Sequence, residues 1–130
     1  MIAADTSTWV AYFEGASEYD AELLRQALSD KQAVMAPVVL SELLSDPKLP
    51  SEVAAGLADL PLIQTTAGYW QRAGLLRAKV LSRGRRARLG DALVAQSCID
   101  EDVPLLTRDR DFRAFAQAAG LNLVIDSRTE

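Results

Sequence analysis

The chain has 130 residues, 49% of them hydrophobic and 25% charged, with a net charge of −4; that suffices for one domain with its own core and argues against a surface coated in basic residues for duplex binding. The lone Cys98 excludes an intrachain disulfide framework and a cysteine-rich zinc site, and the absence of histidine excludes histidine-based nucleophilic catalysis and most zinc and iron centres. Any metal must therefore be oxygen-ligated, which favours magnesium or manganese.

Residues 1–4 form a short apolar run, and Asp5-Thr6-Ser7-Thr8 supplies capping chemistry before a helix at 9–13, so a buried strand leading directly into a helix is expected. Residues 18–29 place Leu23, Leu24, Ala27 and Leu28 on one helical face. A second apolar run at 33–36 precedes Pro37, which suits a first helical turn, and Val39, Leu40, Leu43 and Leu44 form the apolar stripe of the helix that follows. Glu42 lies off the centre of that stripe. Ser51 is expected to cap a short helix through Leu57 and Leu60, and 62–64 to form a brief strand. Residues 66–83 carry Trp70, Ala73, Leu76 and Val80 at helical spacing before Gly84. Further helices are expected at 90–100 and 109–119, the second ended by Gly120, with strands at 104–107 and 121–125. Cys98, on an apolar helical face, reads as inert core.

Strands alternating with helices imply an α/β fold with a central parallel sheet, in one domain spanning 1–130. No apolar stretch approaches the roughly 20 residues needed to cross a membrane. The N-terminal MIAADTSTW lacks a basic n-region, so a cytoplasmic location is expected.

Four acids stand where an apolar run meets a polar or helical one: Asp5 in MIAADTSTW, Glu42 in APVVLSELL, Asp91 in ARLGDALVA and Asp109 in PLLTRDRDF. Singly, each aspartate also suits a helix N-terminus and Glu42 a solvated helix position. Ligands of parallel α/β sheets gather at the carboxyl ends of the strands, and this reading sends all four acids to that edge. Carboxylates gathered there repel one another unless a cation holds them together. Asp111 has three open readings: a ligand, a group acting through water, or the start of the helix headed by Phe112. Ser7 and Thr107 stand near Asp5 and Asp109 and either orient a carboxylate or cap a helix. Arg83, Arg85, Arg86 and Arg88, in RGRRAR just before Asp91, are either a solvated basic loop or a handle for phosphate. Trp9, Tyr12, Phe13 and Trp70 read as core or interface rather than base-stacking residues.

With DTSTW at the start, LSELL after a strand, GDALVAQ mid-chain and LLTRDRDF near the end, the chain resembles the PIN-domain ribonucleases over essentially its whole length. Within them it resembles the VapC-type toxins of bacterial toxin–antitoxin pairs. The resemblance implies a three-layer α/β/α sandwich around a parallel sheet of four or five strands. It matches Asp5, Glu42, Asp91 and Asp109 to the family's acidic quartet, with Asp5, Asp91 and Asp109 as metal ligands, and Asp111 to an additional acid. It places Ser7 and Thr107 at supporting hydroxyl positions. It further implies Mg²⁺ or Mn²⁺ as cofactor, hydrolysis of an RNA phosphodiester, a homodimer, and a small antitoxin that blocks the cleft. The arginines at 83, 85, 86 and 88 would hold the RNA backbone. Arg108 and Arg110 alternate with the last acids, and their charge is suited either to RNA or to neutralising the site.

Two rival enzymatic readings fail on particular residues. A phosphoacceptor domain needs paired acids after the first strand and a lysine near the last, whereas Asp5 stands alone and the lysines are Lys31, Lys48 and Lys79. An aspartate-nucleophile phosphatase needs an acid two positions after Asp5, where Ser7 stands. The alternative from another class is a PIN-like module that binds RNA or a partner with weak or no cleavage; the intact quartet argues against it.

Overall fold

The computed structural model describes residues 1–124. In chain order the elements are β1 (Ile2–Ala4), α1 (Thr6–Phe13), α2 (Tyr19–Ser29), β2 (Ala33–Val34), α3 (Pro37–Leu44), α4 (Ser51–Ala58), α5 (Tyr69–Ser82), α6 (Leu89–Asp100), β3 (Leu105–Leu106), α7 (Phe112–Ala119) and β4 (Leu123–Val124). The four strands form one parallel sheet in the order β2-β1-β3-β4. Ile2 and Ala3 lie opposite Ala33 and Val34, Ala3 and Ala4 opposite Leu105 and Leu106, and these last two opposite Leu123 and Val124.

This order decides where a site can form. From β1 the chain crosses to β2 on one side, then returns to β3 on the other. Right-handed crossovers put α1 and α2 on one face and α3 to α7 on the opposite face, and α5, α6 and α7 pack on one another there. The reversal opens a crevice beyond the carboxyl ends of β1 and β3. Strands this short can carry a core only if both faces are covered, and Ala3, Ala4, Leu105 and Leu106 are all buried. Around them pack Trp9, Leu24, Met35, Val39, Phe112 and Phe115. None of the described helices is long and apolar enough to cross a membrane.

Several expected boundaries shift for local reasons. Pro50, not Ser51, occupies the cap position of α4, and Ser51 is its first helical residue without a side-chain capping bond. Residues 62–64 contribute a single parallel bridge, Leu62 to Met35, rather than a strand. The helix expected from 66 begins at Tyr69, after Gly68 turns the chain with φ +83; a Cβ there would stand 2.8 Å from the Arg72 guanidinium. Its buried stripe is consequently Tyr69, Ala73, Leu76 and Val80, while Trp70 is 65% exposed. Tyr69 takes the inner position because its hydroxyl donates to the Leu93 carbonyl at 2.6 Å. On α3, Val39 and Leu43 are buried but Leu44 is exposed. The last helix starts at Phe112, three residues later than expected, and ends at Gly120 with φ +74. Ile125, expected in the last strand, lies outside the described residues.

Phe115 is fully buried, with its ring centroid 6.0 Å from that of Phe112. Truncating it to alanine leaves a cavity under α7, and Phe115→Ala is expected to lower stability by about 3–5 kcal/mol in urea unfolding. A loss below about 1 kcal/mol would contradict this packing.

Candidate metal centre at the sheet edge

Asp5 follows β1 directly and caps α1. Its Oδ1 accepts hydrogen bonds from the Thr8 backbone N–H at 3.2 Å and the Ser7 hydroxyl at 2.7 Å, and its Oδ2 accepts one from the Thr107 hydroxyl at 2.8 Å. The helix-cap reading and the site reading of Asp5 are therefore both true of the same carboxylate. An ionised carboxylate has about four acceptor directions, so one on Oδ2 remains. Asp5 is buried, and that burial raises its pKa; the bonds from Ser7, Thr107 and Thr8 oppose the rise, and the negative charge of Asp109 adds to it.

The loop after β3 brings the last acids. Thr107 joins the two strand ends, since its hydroxyl donates to Asp5 and accepts from the Asp109 backbone N–H at 2.9 Å. Asp109 Oδ1 in turn accepts the Asp111 backbone N–H at 2.9 Å. Asp111 stands at the cap position of α7 but makes no side-chain capping bond there, which leaves its carboxylate available to the site.

Asp91 lies in the first turn of α6. Its Oδ2 is buried and has no hydrogen-bond partner. Its pKa is pushed up to about 6, first by burial, then by the negative charges of Asp109, Asp5 and Glu42, with Arg88 opposing. All four expected acids are thus close enough to act on one proton. Glu42, on the exposed side of α3, is held by the Thr6 hydroxyl, which donates to Oε1 at 2.9 Å. Its Oε2 approaches Gly90, lying 3.9 Å from where a Cβ would be.

Among the described residues, the carboxylates that offer oxygens within 4.8 Å of one another are Asp91, Asp109 and Asp111. Asp111, expected as an additional acid, joins Asp91 and Asp109 in this trio, and Asp5 lies beside it with three hydrogen bonds and one acceptor direction left. Three such oxygens, with a buried and unpartnered Oδ2 on the Asp91 carboxylate, are a costly arrangement in water. The donor set is all oxygen and fits a hard divalent cation.

The four arginines of the basic run are exposed. Arg83 ends α5 and Arg88 precedes α6, while Arg85 reaches Gln117 at 3.4 Å. Of the four, Arg88 is the one whose charge acts on an acid of the site, Asp91. The Arg108 guanidinium forms its hydrogen bonds outside the cluster, in a forked pair with Asp20 at 2.9 Å from Nε and 2.7 Å from Nη2, though the charge of Asp5 also acts on it. Cys98 is buried, which pushes its thiol up to about 12, as befits inert core. Sequence reasoning missed Thr6, legible only as capping chemistry, and Asp20, which carries no local signal at all.

An α/β sandwich with an acidic cluster at the switch point of a parallel sheet defines the class. The PIN domain family model matches residues 2–118, and the chain belongs to that family. It is 32% identical over 73 residues to Ribonuclease VapC5 of Mycobacterium tuberculosis (strain ATCC 25618 / H37Rv), a match spanning 56% of this chain and about half (52%) of that relative. Among solved structures, VapBC2 of Rickettsia felis bound to a promoter DNA fragment superposes with a TM-score of 0.72 at 24% identity, covering 95% of this chain and 98% of that one. VapBC-5 of Mycobacterium tuberculosis gives 0.68 at 22% identity, covering 96% and 98%. These likenesses establish the fold.

A carboxyl pKa raised above the ordinary 3.8 means that folding disfavours the ionised form. That penalty is absent below about pH 4 and complete above about pH 6, so the metal-free protein loses stability as pH rises through this window. Asp91→Asn removes the penalty. It is expected to stabilise the metal-free protein at pH 7 by about 1–2 kcal/mol for a partly buried group, and not at pH 4. Denaturant titrations at both pH values measure the difference; equal stability of variant and parent at pH 7 would refute the electrostatic account.

Proposed function

We propose that this protein is a metal-dependent endoribonuclease and the toxin of a VapBC-type toxin–antitoxin pair. The observation that carries the chemistry is Asp91, whose Oδ2 is buried and unpartnered and whose carboxylate offers an oxygen within 4.8 Å of oxygens of Asp109 and Asp111. Membership of the PIN family and the match to a protein named as a ribonuclease support RNA as the substrate. An RNA substrate sets its work in the cytoplasm.

In this reading Asp91, Asp109 and Asp111 hold Mg²⁺ or Mn²⁺, and Asp5 contributes its remaining acceptor direction. The cation, when bound, polarises the phosphodiester and makes water acidic enough to serve as a nucleophile near neutral pH without a histidine base. Ser7 and Thr107 fix the Asp5 carboxylate, and Thr107 also sets the turn that carries Asp109. Glu42, exposed and oriented by Thr6, is placed to accept a proton from the attacking water at Oε2. Arg83, Arg85, Arg86 and Arg88, exposed in the segment that leads to Asp91, would position the RNA backbone without reading its sequence. Attack by water rather than by the 2′-hydroxyl gives a 5′-phosphate and a 3′-hydroxyl.

Solved neighbours described as a member of the VapBC family of toxin–antitoxin systems and as a toxin–antitoxin complex support a small antitoxin as partner. A groove of about 600 Å³ lined by Trp9, Tyr12, Phe13, Leu28, Val53 and Leu60 is apolar enough to receive part of one. An antitoxin arginine among the acids would replace the cation's charge and inhibit. Trp70 and Leu81, three turns apart on one side of α5 and both exposed, support a homodimer.

Asp5→Asn, Asp91→Asn and Asp109→Asn are each expected to lower cleavage by more than about 100-fold with circular dichroism unchanged. EDTA should abolish activity and Mg²⁺ or Mn²⁺ restore it. Undiminished cleavage in excess EDTA would sink the mechanism. Alanine at Arg85 and Arg86 should instead weaken RNA binding and flatten its salt dependence by about one slope unit for each phosphate no longer neutralised.

A further inference from the structure

Asp5 is tied to the sheet, its backbone N–H donating to the Leu106 carbonyl at 3.0 Å, whereas Asp109 and Asp111 lie beyond the last residue of β3. Asp109 and Asp111 belong to a loop between β3 and α7, and Asp5 to the start of α1. Thr107 ties the two at one point, and a second tie lies one residue further on. There Arg108 directs Nε and Nη2 to the two oxygens of Asp20, at 2.9 and 2.7 Å. Asp20 is in the first turn of α2. Its Oδ2 also accepts the hydroxyl of Thr8 at 2.8 Å, and Thr8 is the fully buried residue whose backbone N–H holds Asp5. The Arg108 backbone N–H reaches Ser7 Oγ at 3.5 Å. A closed circuit results: Asp5, Thr8, Asp20, Arg108, Thr107 and back to Asp5.

We propose that Arg108 and Asp20 are positioning residues for the acidic site: their forked ion pair fixes the loop that presents Asp109 and Asp111, and through Thr8 sets that loop against Asp5. The inference rests on the proposed metal-dependent reading of the site. The geometry assigns Arg108 this task over either of the two the sequence left open, because its fork is engaged by Asp20 and not by the site's acids. A fork matched to a carboxylate fixes direction as well as distance, which a lysine's point charge does not. Burial would raise the Asp20 carboxyl, yet the bonds from Arg108 and Thr8 outweigh it and hold its pKa below the ordinary value, so Asp20 stays ionised as the pair requires. The Arg108 side chain is 38% exposed and that of Asp20 12%; with the guanidinium open to water and Thr8 still donating to Asp20, the pair's share of global stability is small. Its removal therefore loosens the loop and leaves the fold standing.

The test uses Asp20→Asn, Arg108→Gln, Arg108→Lys and the Asp20→Asn/Arg108→Gln double variant of the full chain. Free Mn²⁺ followed by electron paramagnetic resonance gives metal affinity without reference to activity, and RNA cleavage gives kcat and KM. Asp20→Asn and Arg108→Gln should each weaken Mn²⁺ binding and lower kcat by about 10- to 100-fold, with KM for RNA and the thermal midpoint little changed. The double variant should lose no more than either single one, since both remove the same tie. Arg108→Lys should recover part of the loss. Asp20→Asn keeps an oxygen for Thr8 and for Arg108 Nε but removes the charge and the acceptor of Nη2, and so breaks the fork; it carries the test should Arg108→Gln fold poorly. Wild-type Mn²⁺ affinity and kcat in Asp20→Asn would overturn the proposal while leaving the metal site intact. So would a loss confined to KM on changing Arg108, the mark of a residue that holds RNA. If the parent protein itself binds no Mn²⁺, the metal-dependent reading fails and this inference falls with it.

Discussion

Mutual repulsion among carboxylates is the constraint around which the rest of this molecule is arranged. Asp91, Asp109 and Asp111 approach within 4.8 Å, with Asp5 and Glu42 near enough to raise the pKa of Asp91 further. A fold can hold such a group only if rigid elements keep the acids from separating and hydrogen bonds hold their orientation. Here β1 and β3 pair directly and end at the same level, so Asp5 and Thr107 emerge side by side. The hydroxyls of Thr6, Ser7 and Thr107 then donate to the acids without adding charge. In the proposed reading, a divalent cation among these oxygens would relieve the repulsion that remains.

The sheet order makes this arrangement possible. Reversal of direction between β2 and β3 leaves the carboxyl ends of the two central strands uncovered by crossing chain. Helices enter the crevice from both faces: α1 from one, and α3 and α6 from the other. Each brings an acid or an acid's partner in its first turns. The same apolar runs that bury the strands thus determine which polar residues can meet. Packing and chemistry share one set of boundaries, as in MIAAD and LLTRD, where the last strand residue, Ala4 or Leu106, is buried and is followed at once by a residue of the site.

Asp5 illustrates why a structural and a functional reading of a residue need not compete. It caps α1 through the Thr8 N–H, and the same carboxylate is set by Ser7 and Thr107 toward the acidic group. Asp111 shows the converse: it has the position of a cap and makes no capping bond, so its charge is free for the cluster. Trp70 and Tyr69 show the limit of periodicity. Both satisfy helical spacing with Ala73, and Tyr69 is the one buried, where Gly68 turns the chain and the Leu93 carbonyl accepts its hydroxyl.

The α/β alternation and the four acids at the ends of apolar runs were legible in the residues alone, because strand burial and helix capping are local and leave local marks. So was the hard character of any metal, because composition removes histidine and all but one cysteine. Tertiary structure alone decided which oxygens meet, bringing Asp111 to Asp91 and Asp109 while hydroxyls enclose Asp5. It alone joined Arg108 to Asp20 across 88 positions. Such pairings depend on strand order and helix placement, which are set by the packing of the whole core and not by the neighbours of any one residue.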